Sequence, residues 1–331
     1  MKKVIQSIFG RVLFAALAFS VVLSSCNNNN DDNTPAPTNT IVDVAVGNPN
    51  FTYLVAAIQR AGASGTNVAA LLSDPNGRYT VFAPTNDAFI AAGFPTIASI
   101  QAADPNTLLG ILTYHVLNSE VRASQVPVGP NEPVATLAQS NVFVTNNSSG
   151  VFVNGIRVAQ ADVLASNGVI HAIGSVLLPP SGNIVEAAQG NEDLSTLVAA
   201  IQYVDANIAG ANIATTLSGA GPFTVFAPTN AAFQTLLTDV GATNLSDVAP
   251  EVVRDILLRH VIGARVFSSD LSNGSVTTLN GDVTIAVSGN GATVIGAGAI
   301  PSNITATNIV TTNGVVHVID RVIRIPLERN N

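Results

Sequence analysis

Tryptophan is missing from this chain, cysteine occurs once, tyrosine four times, and only 10% of its 331 residues are charged. Each shortage excludes something. One thiol cannot build a disulfide scaffold. Thirteen Lys and Arg against 21 Asp and Glu give a formal charge of −8 and no basic cluster to neutralise phosphates, so nucleic acid is not a partner. No Gly triplet period marks a collagen, and no Ala/Glu/Lys/Leu/Arg excess marks a coiled coil. Disorder is excluded too, because 47% of the residues are hydrophobic. What is present is a weakly charged chain rich in Asn, Thr, Ser and Gly, long enough for two domains with a core each.

The first 25 residues carry an address. Lys2, Lys3 and Arg11 precede an apolar run from Val12 to Leu23, too short to span a bilayer core and shaped like a secretory signal. The only cysteine follows in Leu23-Ser24-Ser25-Cys26, which resembles the lipobox of bacterial lipoproteins. That resemblance implies lipidation of Cys26 and a membrane held through a lipid anchor, lasting when two or more acyl chains share the load. Residues 26–39, with Pro35 and Pro37 and no large apolar side chain, read as a disordered tether. Its Asp31-Asp32 pair resembles acidic surface-export tags and equally fits a solvated linker.

The rest is one unit written twice. Thr80-Val81-Phe82-Ala83-Pro84-Thr85-Asn86-Asp87-Ala88-Phe89 returns from Thr224 to Phe233 with nine of ten residues unchanged. Asn167-Gly168-Val169-Ile170-His171 returns as Asn313-Gly314-Val315-Val316-His317, and His115 as His260. The offset stays between 144 and 146, so the chain contains a duplicated domain. The copies are expected at 40–180 and 181–328, joined by the stiff Pro179-Pro180-Ser181-Gly182 link that makes a semi-rigid pair.

Phe51, Leu54, Val55 and Ile58, and their counterparts Leu194, Leu197, Val198 and Ile201, have helical spacing, so each copy should open on an amphipathic helix. Thr80–Ala83 and Thr224–Ala227 should be buried strands closed by Pro84 and Pro228, with Thr85 and Thr229 capping the next helix. Asp104-Pro105 and Pro250 should start helices carrying Leu108, Ile111, Leu112 and His115, and Val253, Ile256, Leu257 and His260, on one side. Short β-branched runs follow, split by Asn154-Gly155 and Asn290-Gly291. Long final strands are expected over Val169–Leu178 and Val315–Ile325. Helices in front of strands predict an α+β fold.

The two boxes and the Tyr114-His115 element resemble the fasciclin (FAS1) domain, in the right order in both copies, over about residues 40–328. The resemblance implies two FAS1-like domains, each a folded β-sheet wedge with helices packed against one face and edge. It also implies surface adhesion modules that bind matrix proteins, glycans or one another, with no established catalytic apparatus. An Asp-Ile pair upstream of the second box is linked to partner binding in animal members, and Asp162-Val163 stands there in copy one but Asn308-Ile309 in copy two. Asp162, Val163 and Tyr114 are therefore the candidate partner-binding residues, although copy two has Arg259 in place of the tyrosine.

His115, His171, His260 and His317 all fall inside the repeat. They could be metal ligands or general bases, but two imidazoles per domain without a thiol or carboxylate cluster make poor ligation. They are read as structural rings, and no metal, cofactor or catalytic residue is assigned. Gly-x-Ser-x-Gly is absent, and Gly296-Ala297-Gly298 lacks the context of a dinucleotide loop. The function expected is non-catalytic binding of an extracellular protein or glycan, with homophilic contact included, at the outer membrane or cell surface. Alternatives are polysaccharide capture for nutrient uptake, disfavoured by the scarcity of rings, and a hydrolase with an unrecognised site.

Overall fold

The computed structural model describes residues 36–325 apart from Asn290. The signal segment, Cys26, the Asp31-Asp32 pair and most of the tether lie outside the described residues, as do Asn290 of the second expected turn and the chain from 326 onward. From Pro37 the chain forms one compact body that holds both repeats. No helix among the described residues is long and apolar enough to cross a membrane.

In repeat one, α1 (Ile41–Val46), α2 (Thr52–Ala61) and α3 (Val68–Leu72) come first. Strand β1 (Tyr79–Pro84) follows, then α4 (Asn86–Ala91), α5 (Ile97–Ala102), α6 (Pro105–Tyr114) and the short β2 (Val116–Leu117). Strands β3 (Gly129–Ala135), β4 (Asn141–Asn147), β5 (Gly150–Val153), β6 (Ile156–Ala165) and β7 (Gly168–Ile173) complete it. The sheet order is β2-β1-β7-β6-β5-β4-β3, antiparallel except for the parallel β1–β7 pair. Its two edges meet, because Leu117 bridges Thr136 and Leu137 N–H donates to Val116 O at 2.8 Å, so the sheet curls on itself.

Repeat two follows the same plan. Its helices are α7 (Ile184–Gln189), α8 (Ser195–Asn207), α9 (Ile213–Ser218), α10 (Asn230–Asp239) and α11 (Pro250–Arg259). Its strands are β8 (Phe223–Pro228), β9 (Val261–Ile262), β10 (Gly274–Thr278), β11 (Gly281–Ser288), β12 (Gly291–Ile295), β13 (Pro301–Thr311) and β14 (Gly314–Ile319). They order as β10-β11-β12-β13-β14-β8-β9, with β8 and β14 parallel.

Alternation along β1 and β7 divides each repeat into two cores. Val81, Ala83, Ile170 and Ala172 face the helices and join Leu54, Ile58, Phe89, Leu108 and Ile111. Phe82 and Ile173 point the other way, into the curled sheet, with Val142, Val144, Val153 and Tyr114. Repeat two repeats the division. This α+β wedge is the architecture the sequence predicts.

Caps fall where the residue types require. Thr85 and Thr229 accept from Ala88 N–H and Ala232 N–H, and Asp104 accepts from Thr107 N–H ahead of Pro105. Two expectations are corrected. The final strands stop at Ile173 and Ile319, because exposed Gly174-Ser175 and Asp320 turn the chain out of the sheet and the following segment binds a histidine ring instead. The amphipathic α2 and α8 do not open the copies; α1 and α7 precede them, six-residue helices fixed by Thr40–Asp43 and Asn183–Glu186 capping boxes and too short to show a period.

Candidate functional site

The residues duplicated between the repeats turn inward and hold backbone. His115, at the end of α6, is buried; its Nδ1–H donates to Ile111 O at 2.7 Å and its Nε2 accepts Leu177 N–H at 2.9 Å. His260 does the same with Ile256 O at 2.7 Å and Ile323 N–H at 2.9 Å. His171 and His317 use the opposite tautomer. Their Nδ1 atoms accept from Asp162 N–H at 3.2 Å and Asn308 N–H at 3.3 Å, and their Nε2–H groups donate to Val121 O and Val266 O, each at 2.9 Å. An amide N–H can only donate, so each acceptor nitrogen is unprotonated and every ring is neutral. Burial pushes the His115 and His260 rings down to about 4, against the opposing pull of the Ile111 and Ile256 carbonyls. Burial lowers His317 as well. With both nitrogens engaged, none of the four rings has a free lone pair for a substrate proton. Among the described residues no three His, Cys, Asp or Glu gather as a metal-holding group.

Three more duplicated side chains act alike. Asn167 Nδ2 donates to Leu72 O (2.8 Å) and Asp74 O (3.0 Å) while its Oδ1 accepts Ile41 N–H (2.9 Å); Asn313 repeats this with Leu217 O, Gly219 O and Ile184 N–H. Asn86 and Asn230 bind the starts of α2 and α8. Thr80 and Thr224 donate to Ser119 O and Ala264 O and accept from Val121 N–H and Val266 N–H. Asn167 and Asn313, each ahead of a glycine, therefore supply a buried amide that ties the first helix to the loop before β1 or β8. Gly168 lies so close to Tyr79 O that a Cβ would stand 2.0 Å away, which is why glycine follows that amide.

The candidate partner residues have separate fates. Tyr114 is fully buried, its hydroxyl donating to Asn141 O at 2.9 Å and accepting from Asn154 Nδ2 at 3.0 Å, and burial pushes its phenol up. The expectation that it meets a partner is corrected: an unbroken hydrogen-bonded ring inside the curled sheet offers no surface. Val163 is half-buried and packs on the helix-side core. Asp162 is half-buried at a bulge of β6 with φ of 57°, where Asp and Asn are tolerated, and its Oδ1 accepts Ala123 N–H at 2.9 Å. Beside it, Glu120 and Arg122 pair at 3.0 Å at the surface. Asn308 reproduces the geometry, with φ of 62° and Oδ1 accepting Ser268 N–H at 2.8 Å.

What differs is the cover. Repeat one packs on the Asn308 side of repeat two. Gly155, with φ of 74°, approaches so closely that a Cβ would meet the Asn308 amide at 2.6 Å. The Arg265 guanidinium lies 4.0 Å from the centroid of the Phe143 ring, and its Nη1 donates to Gly314 O at 2.6 Å. Phe143 contacts Phe267, centroids 6.0 Å apart. Asn131 Nδ2 donates to Arg265 O (2.8 Å), Thr145 Oγ1 to Asp270 Oδ1 (3.2 Å) and Asn147 Nδ2 to Ser269 O (3.4 Å). Sequence reasoning missed this junction. The signal lay in the mismatches between copies: Arg265 and Phe267 stand where repeat one has Glu120 and Arg122, and Phe143 where repeat two has Thr284.

Comparison with known proteins places this geometry in context. The sequence model described as "Fasciclin domain" matches residues 49–179 and 192–326. Protein sll1483 of Synechocystis sp. is 45% identical over 142 residues, which are 43% of this chain and 74% of that protein. The transforming growth factor-beta-induced protein ig-h3 of Sus scrofa is 29% identical over 250 residues, 75% of this chain. The chain thus spans about three quarters of the cyanobacterial relative but only 35% of the porcine one. A solved FAS1 domain pair from the insect cell adhesion molecule Fasciclin I covers 80% of this chain and 96% of its own, at 20% identity and a TM-score of 0.40.

Proposed function

The chain belongs to the fasciclin domain family, and from that premise we propose that it is a surface-anchored adhesion protein whose tandem modules, residues 40–180 and 181–328, bind an extracellular protein or glycan without catalysing a reaction. The observation that carries this reading is the inward, backbone-directed use of every duplicated polar side chain discussed above, which leaves binding surfaces as the sites available. Residues 1–25 serve as the signal, Cys26 takes the lipid, and 26–39 tether the modules to the outer membrane or cell surface.

The Asp162 face of repeat one, with Glu120 and Arg122 beside it, is the partner-binding face in this proposal. Its counterpart around Asn308 is covered by repeat one, so a single such face is open per chain. With few charges, attachment rests on hydrogen bonds and apolar contact and depends weakly on salt. The test is binding of the purified chain to immobilised matrix proteins, a glycan array and a second copy of itself, at about 50 and about 300 mM NaCl. Retention at the higher salt and loss on Arg122→Glu would support the assignment. Attachment that collapses with salt, or that ignores changes on this face, would refute it, and turnover in an ester, glycoside and peptide screen would refute the non-catalytic part.

A further inference from the structure

A groove lies between the repeats, and none of its lining residues belongs to the Asp162, Glu120 and Arg122 face. The groove has a volume of about 680 Å³, within the range of roughly 300–1,000 Å³ typical of small-molecule sites, which favour domain junctions. One wall is the outer face of α6 and the segment after β7; the other is the Thr307–Val310 stretch of β13. Its floor is aliphatic, with Ile111, Val176, Ile309 and Val310, and Leu178 stands 60% exposed at the lip. No lining residue is charged and none is aromatic.

Two features set this groove apart from a chance gap. The first is Gly110, in the interior of α6, a place that disfavours glycine more than any residue but proline. Nothing in the fold demands it, since a Cβ there would meet no atom within 4 Å and would project into the groove. The second is the comparison with repeat two, which puts Glu251, Asp255 and Arg324 where repeat one has Asn106, Gly110 and Leu178. There Asp255 pairs with Arg254 and Arg324 with Asp239 at the surface. Repeat one is cleared of charge and bulk at the same positions.

We propose that this groove binds an uncharged amphiphile, its aliphatic chain along the Gly110 face and its hydroxyl head at the polar rim of Asn106, Thr107 and Ser175. A charged head would lose hydration at a rim that supplies no counter-charge, and a sugar would find no ring to stack on. The glycine leaves room for the chain, so its presence against helix propensity follows from the ligand.

Calorimetric titration of the purified full chain with monolauroyl glycerol, below its micelle concentration, tests this, with laurate and dodecyltrimethylammonium as charged controls. The expected result is one neutral molecule per chain, with both charged amphiphiles weaker. Gly110→Leu fills the groove while favouring the helix, and should weaken binding by at least about tenfold without lowering the melting temperature. Leu178→Asp, at an exposed lip position, should weaken it similarly and guards against misfolding of the first variant. These variants also separate the groove from the apolar Val12–Leu23 run, which they leave untouched. Absence of saturable binding, equal binding of all three amphiphiles, or unchanged affinity in both variants would overturn the proposal.

Discussion

Mild acid should destabilise this protein through His115 and His260 before its carboxylates are involved. Each ring is buried and neutral, with both nitrogens bound to backbone, and has a folded pKa of about 4 against an ordinary 6.5. The unfolded chain therefore takes up a proton near pH 6.5 that the folded chain refuses until about pH 4. The stability that neutrality confers is complete above 6.5 and is lost as pH falls through that window. For a shift of this size the loss is about 2 kcal/mol per ring at pH 5 and about 3 kcal/mol once titration is complete. Against a whole-domain stability of roughly 5–15 kcal/mol, that is enough to unfold a marginal repeat. Asp43, Asp104 and Asp247 are held below the usual carboxylate value by hydrogen bonds from Thr40, Thr107 and Asn244, so they lose charge only at lower pH. Urea unfolding followed by circular dichroism from pH 7 to pH 5 gives the slope, and hydrogen exchange assigns it to a repeat. The lowered His317 adds to the loss in repeat two. His115→Gln and His260→Gln, whose amides do not titrate, should flatten the slope of their own repeat whatever their baseline cost. A flat profile in the parent chain, or an unchanged slope in both variants, would refute the assignment of neutral, desolvated rings.

Other perturbations address the remaining polar hubs and the junction. Asn167→Ala removes the partner of three backbone groups at once, and at about 1–3 kcal/mol for each group left unsatisfied in the interior it should cost at least about 3 kcal/mol in denaturant unfolding. Asp162→Asn should be within about 0.5 kcal/mol of the parent, because asparagine performs the same task at 308, whereas Asp162→Ala loses the Ala123 bond and tolerance of positive φ and should cost about 1–2 kcal/mol by the same measurement. Arg265→Ala removes a cation–π contact of about 0.5–2 kcal/mol and the Gly314 bond; it should speed hydrogen exchange in 265–270 and leave exchange in α2 and β1 unchanged.

The sequence exposes those parts of the fold that obey local rules. A proline that cannot continue a strand, a threonine that caps a helix and a glycine at positive φ each act within a few residues, so β1, α4, α6 and the β5–β6 hairpin are readable from pattern. Contacts set by distant partners are not. Asn167 has the local signature of an Asn-Gly turn, yet its amide reaches Ile41, 126 residues away. Val176 and Leu177 continue the apolar run by type, but His115 draws Leu177 out of the sheet by offering an acceptor to its amide. Tyr114 is singled out by its place in the Tyr-His element that resembles the family, while its hydroxyl is spent on Asn141 and Asn154.

Duplication supplies the control that one copy lacks. Positions identical in both repeats, such as the four histidines, Asn167 and Asn313, and Thr80 and Thr224, serve backbone in the same way twice, and their constancy follows from folding alone. A position that differs between copies but keeps its geometry is also explained by folding. Asp162 and Asn308 share a positive φ and a cap, so the charge difference between them is not needed by the backbone and is free to serve a surface. Positions that differ in both chemistry and contact remain. Arg265, Phe267 and Phe143 are accounted for by the junction, since each contacts the other repeat or a residue that does. Gly110 and Leu178 differ from Asp255 and Arg324 just as sharply, yet neither packs against the neighbouring repeat in a way that requires glycine or an exposed leucine. Stability favours neither, because alanine suits the helix better and a polar residue suits the lip. Their presence in one copy, side by side along one uncharged groove, is the kind of local violation that a ligand explains and folding does not.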